Sequence, residues 1–121
     1  MYEIKNVRPI NSLIFISDLN GGDAPNPIRD VPILATPSCI SVACYPEQEG
    51  ATDVTLGDMQ DVDPGRPANF DGNLNTPSRT IAVSTVDHKT ILEKSVTKEA
   101  IHVRIWMNNP KWSDDIIIGV D

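Results

Sequence analysis

Hydrophobic side chains recur at every second position through much of this chain, which is the pattern of strands with one buried face. In the segment 101–107, IHVRIWM, four alternating apolar side chains define the face that we expect to be buried: Ile101, Val103, Ile105 and Met107. The segments 38–45, 52–58 and 78–86 alternate in the same way and are rich in β-branched residues, which strands favour. We therefore expect a strand in each of these four segments.

Glycine and proline separate these strands. The segment 20–30, NGGDAPNPIRD, can sustain neither a helix nor a strand ladder. The segments 13–16 and 114–120 are apolar on both faces, which is typical of central strands. This organisation predicts a single all-β domain, 1–121, built as an antiparallel β-sandwich of about seven to nine strands. A small barrel is the alternative, because alternation alone does not distinguish it from a sandwich.

Two short segments contain local signals for other structures. In the segment 87–96, Asp87 is a good N-cap and helix formers follow it, which predicts one short helix. The β-branched residues of the same segment favour short strands instead, and the sequence leaves both structures open. Asp71-Gly72, between Phe70 and Leu74, predicts a tight turn, because glycine readily adopts positive φ.

Charge is distributed unevenly along the 121 residues, whose formal net charge is −7. The segment 47–75 holds seven acidic residues against Arg66 alone, a net charge of −6. Binding to a nucleic acid backbone is disfavoured, because no basic patch is present to release counterions. No apolar run reaches the roughly 18–20 residues that span a bilayer, and residues 1–16 lack the features of a signal peptide. We therefore expect a soluble, cytoplasmic protein that binds neither nucleic acid nor membrane, and the oligomeric state stays open.

Four aspartates lie close together in the segment 57–78 and are the candidate metal ligands: Asp58, Asp61, Asp63 and Asp71. Calcium takes oxygen ligands of this kind from flexible loops. The spacing differs from that of an EF-hand, because Gly65 stands at position five of the run that begins at Asp61 and the segment contains no glutamate. Three interpretations stay open, namely a solvated acidic loop, a protein-binding surface and a calcium site. Apart from calcium, we expect no cofactor.

His102, Arg104 and Trp106 form the second face of the segment 101–107. Such a row suits the binding of a partner's side chain, with the arginine making bidentate and cation–π contacts. The structural alternative is a polar outer sheet face on which a loop partly covers Trp106. Trp112 follows a Pro-Lys pair in an expected turn, where an exposed tryptophan would mark an interface.

Residues suited to catalysis are few. Cys39 and Cys44 are five positions apart, so a strand directs them to opposite faces, and we expect free thiols. The two histidines, His88 and His102, stand in no nucleophile motif, and no phosphate-binding glycine loop is present. We therefore predict that the protein is not an enzyme.

These features favour the binding of another protein through the acidic segment, with seven candidate contact residues: Asp58, Asp61, Asp63, Asp71, His102, Arg104 and Trp106. One concrete version is an inhibitor or immunity-type protein whose carboxylates imitate a polyanion and block a basic active site, such as that of a nuclease. The alternatives are a calcium-dependent ligand-binding module and a structural subunit that uses exposed strand edges.

Overall fold

The computed structural model describes all 121 residues, and most of its regular structure is β. Its ten strands are β1 (Tyr2–Val7), β2 (Leu13–Asp18), β3 (Ile33–Thr36), β4 (Cys39–Ala43), β5 (Thr52–Asp58), β6 (Phe70–Asn75), β7 (Thr80–Thr85), β8 (Thr90–Ser95), β9 (Ala100–Met107) and β10 (Asp115–Val120). The helical elements are one 3-10 turn at Ile10–Ser12 and the four-residue helix α1 (Met59–Val62). No helix has the length and apolar character needed to cross a bilayer.

The strands form two five-stranded sheets. Sheet A has the strand order β1-β5-β10-β9-β6, and sheet B has the order β3-β4-β2-β7-β8. Neighbouring strands are antiparallel except β5 and β10, which are parallel. Each sheet keeps two edge strands, which a closed barrel lacks. The predicted β-sandwich is confirmed, with ten strands, more than the seven to nine expected, and with one parallel pair.

A common core lies between the two sheets. It contains 18 buried side chains, and the alternating residues of β9 belong to it as predicted: Ile101, Val103, Ile105 and Met107. Ile14 and Ile16 of β2 contribute from sheet B and are fully buried. Burial of each such side chain stabilises the fold by roughly 1.5–3 kcal/mol. The opposite face of β9 is directed away from this core.

The segment 87–96 contains a strand, so the predicted short helix is wrong. β8 pairs with β7, and Leu92 lies opposite Val83 in the core. Asp87, the expected N-cap, sits in the turn between the two strands, where its carboxylate accepts a hydrogen bond from the Thr85 hydroxyl. The β-branched residues and the cross-strand partner outweigh the local helix signal, because propensity is weak relative to tertiary packing.

The predicted turn at Asp71-Gly72 is also wrong. Both residues lie inside β6, which pairs with β9 along its whole length. The Phe70 ring covers Gly72 so closely that an added Cβ would lie 2.9 Å from Phe70 Cζ. The chain reverses later, where the Arg79 amide donates to the Thr76 carbonyl and Arg79 has a positive φ of 58°. Because β6 continues through this position, Asp71 stands opposite Arg104.

The sandwich has two ends that differ in the residues they bring together. At the Asp58 end, β5 and β10 finish and β9 begins. At the Trp112 end, β5 and β10 begin, and the connection from β9 to β10 contains Trp112. Five residue steps of β5 place Asp53 and Asp58 about 17 Å apart. The outer face of sheet A extends from one end of the sandwich to the other.

Candidate protein-binding surface

The segment 59–69 crosses the outer face of sheet A and covers Trp106. The Trp106 ring and the helix α1 meet over Gly119, where an added Cβ would lie 2.9 Å from Met59 Sδ and 3.2 Å from the Trp106 ring. Trp106 Nε1 donates to the Arg66 carbonyl at 2.8 Å, and the Arg66 guanidinium donates to the Met107 carbonyl at 3.0 Å. Trp106 is therefore only 1% exposed. This placement matches the structural alternative and leaves almost none of the Trp106 ring exposed.

The other two residues of that row, His102 and Arg104, contact Asp71. Arg104 Nε donates to Asp71 Oδ2 at 3.0 Å, and His102 Nε2 contacts Asp71 Oδ1. The hydrogen bonds from His102 and then from Arg104 lower the pKa of Asp71. This group lies on the exposed surface of sheet A, and its charges are paired within the molecule.

Two of the candidate aspartates, Asp58 at the end of β5 and Asp61 in α1, contact cations. Asp58 contacts Lys94 Nζ at 3.1 Å and the Met1 ammonium at 3.3 Å, and Asp61 contacts the same ammonium. The hydrogen bond from Lys94, followed by that from Met1, lowers the pKa of Asp58. Asp63 instead accepts a hydrogen bond from the Gly65 amide at 2.8 Å. Two of the three carboxylates thus already face a positive group.

No three His, Cys, Asp or Glu side chains converge closely enough to form a metal site. Asp71 lies on β6, an edge strand of sheet A, whereas Asp58 ends β5 near the other edge. The four candidate ligands therefore do not form one group. Separate strands place these aspartates even though they are close in the sequence.

The structure brings together a second group of carboxylates, consisting of Asp53, Asp114 and Asp115 and named here the Asp53 cluster. The parallel pairing of β5 and β10 sets Asp53 beside Asp115. Burial, followed by repulsion from Asp53 and Asp114, raises the pKa of Asp115, and the positive charge of Arg66 opposes this shift only in part. The Asp53 carboxylate accepts a hydrogen bond from the side-chain amide of Asn6 at 2.8 Å, and the Asp114 carboxylate accepts one from the side-chain amide of Asn108 at 2.5 Å. None of the three forms a salt bridge.

Sequence reasoning missed this cluster because Asp53 is about 60 residues away from Asp114 and Asp115 along the chain. The segment 76–121 has no net charge, which concealed Asp114 and Asp115 at the beginning of β10. The only available signal was that Asp53 and Asp115 both occur at the start of a β-branched strand. The carboxylates of the acidic segment 47–75 also do not lie at one end of the sandwich, since Asp53 and Asp58 are at opposite ends of β5.

The two cysteines are free and buried. Burial raises the pKa of the Cys39 thiol to about 11 and that of Cys44 to about 12. Both thiols are therefore protonated near neutral pH and are poor nucleophiles, because the thiolate is the reactive form.

Comparisons with known proteins give a similar fold without a similar sequence. No protein-family model matches the chain, and no curated protein sequence matches it significantly. It is similar to the crystal structure of ComJ, inhibitor of the DNA degrading activity of NucA, from Bacillus subtilis, with a TM-score of 0.68, 10% identity, and coverage of 98% of this chain and 93% of that one. A structure of crocagin biosynthetic gene J has a TM-score of 0.47 and 10% identity, covering 98% of this chain and 94% of its own. At this identity, the likeness to ComJ shows a shared β-sandwich fold.

Proposed function

We propose that this protein is a non-catalytic inhibitor that binds a nuclease with a basic active site. The observation that supports this function best is the Asp53 cluster, in which three neighbouring carboxylates form no salt bridge and Arg66 offsets only part of the burial and repulsion that act on Asp115. The charge on Asp115 costs stability, as its raised pKa indicates, first because of burial and then because of repulsion from Asp53 and Asp114. A cationic surface on another protein would relieve that repulsion.

Electrostatics gives the reason for choosing a nuclease. Enzymes that act on DNA bind a polyanion, and their sites are positively charged for that purpose. Clustered carboxylates attract such a site at long range, which makes association fast and sensitive to salt. The chain has the required excess of negative charge, with a formal net charge of −7.

The fold supports the same proposal from a separate direction. ComJ, whose structure is similar over nearly the whole length of both chains, is described as an inhibitor of the DNA-degrading activity of NucA. That role belongs to ComJ, and at 10% identity it is a precedent for this fold in nuclease inhibition. The buried, protonated thiols support a function without a cysteine nucleophile.

The test is the capture of DNA-degrading activity from an extract of the source cells on the immobilised protein. We expect the wild-type protein to deplete DNase activity at low salt and to release it at high salt. The variant Asp53→Asn/Asp114→Asn/Asp115→Asn should lose this capture, because a typical truncated charge pair at an interface costs about 2–5 kcal/mol.

The matched control removes three negative charges outside the Asp53 cluster, through Asp23→Asn, Glu93→Gln and Glu99→Gln. These three residues are exposed and form no salt bridge. This control should capture the DNase as well as the wild type does. If no DNase activity is retained by the wild type, or if the two triple variants behave alike, the proposal is wrong.

A further inference from the structure

An apolar groove lies at the Trp112 end of the sandwich. It has a volume of about 590 Å³, and its apolar lining includes Leu13, Ile28, Val31, Pro46, Pro110 and Trp112. Ile28 is 58% exposed, Trp112 is 52% exposed and Val31 is 41% exposed. These are three of the eight large hydrophobic side chains that the molecule exposes, and they share one groove. Contiguous exposed apolar surface of this kind marks an interaction site.

Hydrogen bonds fix the loop that presents Trp112. The amides of Lys111 and Trp112 both donate to Asn109 Oδ1, at 3.0 and 3.4 Å. The Ser113 hydroxyl donates to Asn108 Oδ1 at 2.7 Å, and the Ser113 carbonyl accepts from the Tyr45 amide at 2.8 Å. Trp112 therefore stays exposed on an ordered support. A partner that contacts it would lose little conformational entropy from this loop, which favours affinity.

The groove and the Asp53 cluster belong to the same part of the structure. Asp114 follows Trp112 by two residues, and its carbonyl accepts from the Asp53 amide at 2.8 Å. Asp30 also lines the groove, and Lys111, stacked 5.6 Å from the Trp112 ring centroid, is the only cation in its lining. With the three aspartates of the cluster, which do not themselves line the groove, four carboxylates accompany two cations, Lys111 and the Arg66 guanidinium that acts on Asp115. An apolar centre with an acidic border is complementary to a basic protein.

We infer that the Trp112 groove and the Asp53 cluster form one docking surface for a basic protein, which inserts an apolar side chain beside Trp112 and places its cations on the cluster. This inference rests on the proposed function and names its contact surface. In protein interfaces, most of the binding energy usually comes from a few central residues, often tryptophans, that the partner buries, and charged residues surround them. A second copy of this chain fits less well, because it would bring another three carboxylates to the same contact.

The test places a photo-crosslinking benzoylphenylalanine at position 28 and, as a control, at position 19 in source cells, so that Trp112 itself stays in place. Ile28 lines the groove and is 58% exposed, and Leu19 is a comparable exposed side chain, 45% accessible, which follows β2 at the end of sheet B opposite to the groove. We expect position 28 alone to yield an adduct with a basic protein. A doubled mass of this chain, an acidic partner or no adduct at position 28 would overturn the inference.

The affinity of the purified cross-linked protein then separates this inference from the proposed function. Trp112→Ala should weaken binding by about 30-fold or more, as expected for a hot spot, and Leu19→Ala should leave it unchanged. Equal binding by both variants would overturn the anchor role of Trp112, even if the partner is a nuclease. A basic partner without DNase activity that still needs Trp112 and the Asp53 cluster would support the docking surface and contradict the nuclease.

Discussion

The carboxylates at the two ends of the sandwich differ in what lies beside them. At the Asp58 end, Asp58 contacts Lys94 and the Met1 ammonium, and its pKa is lowered. At the Trp112 end, Asp115 lies beside Asp53 without a salt bridge, and its pKa is raised. The same residue type therefore stabilises the fold at one end and costs stability at the other. Acidic density along a sequence does not show which carboxylates are available to a partner.

The largest effect should come from removing the side chain that holds the segment 59–69 against sheet A. Trp106→Ala deletes a ring that is 1% exposed and packs between this segment and the sheet, so we expect a loss of about 3–5 kcal/mol in the free energy of unfolding. Urea denaturation measures the change.

The matched control for this prediction is Trp112→Ala, the same substitution at the exposed tryptophan. We expect it to change the free energy of unfolding by no more than about 0.5 kcal/mol, since Trp112 lies outside the core. Similar losses for both variants would contradict the different placement of the two tryptophans.

A smaller effect of opposite sign is expected for Asp115→Asn. Because the pKa of Asp115 is raised in the folded state, its charge destabilises the fold above that pKa, and this cost disappears as the pH falls through it. The variant should therefore be more stable than the wild type at pH 7, by up to about 0.5 kcal/mol, and equal to it in acid. Thermal melts across the pH range measure this, with Glu93→Gln as the exposed control. A variant less stable at pH 7 would show that the Asp53 cluster does not repel.

The smallest effect should come from Lys94→Met, which keeps the aliphatic stem and removes the cation beside Asp58. Asp58 has a lowered pKa, so its contribution to stability is present at neutral pH and is lost as the pH falls through the folded value. We expect a slight decrease in Tm at pH 7 that vanishes in acid and shrinks in high salt. Lys98→Met, at an exposed lysine without a salt bridge, should not change the Tm. A decrease in Tm that is the same at every pH would show that the effect of Lys94→Met comes from lost packing and not from the lost charge.

The sequence predicted the local geometry of the strands well and the position of charges poorly. The alternation in β9 correctly separated the core residues from His102, Arg104 and Trp106. The same alternation could not show that the segment 59–69 folds back over Trp106, because this contact joins residues about 40 positions apart. The tight-turn signal at Asp71-Gly72 failed because pairing with β9 extends the strand through the glycine.

By itself, the sequence determined the fold class, since a period of two in hydrophobicity is a local property that forces extended chains to bury one face. It also determined the excess of negative charge. Only the tertiary structure decided which carboxylates meet, because the parallel pairing of β5 with β10 joins Asp53 to Asp115 across 62 positions of the chain. It likewise decided that Trp106 is covered and Trp112 exposed, since the burial of a side chain depends on the distant segments that pack against it.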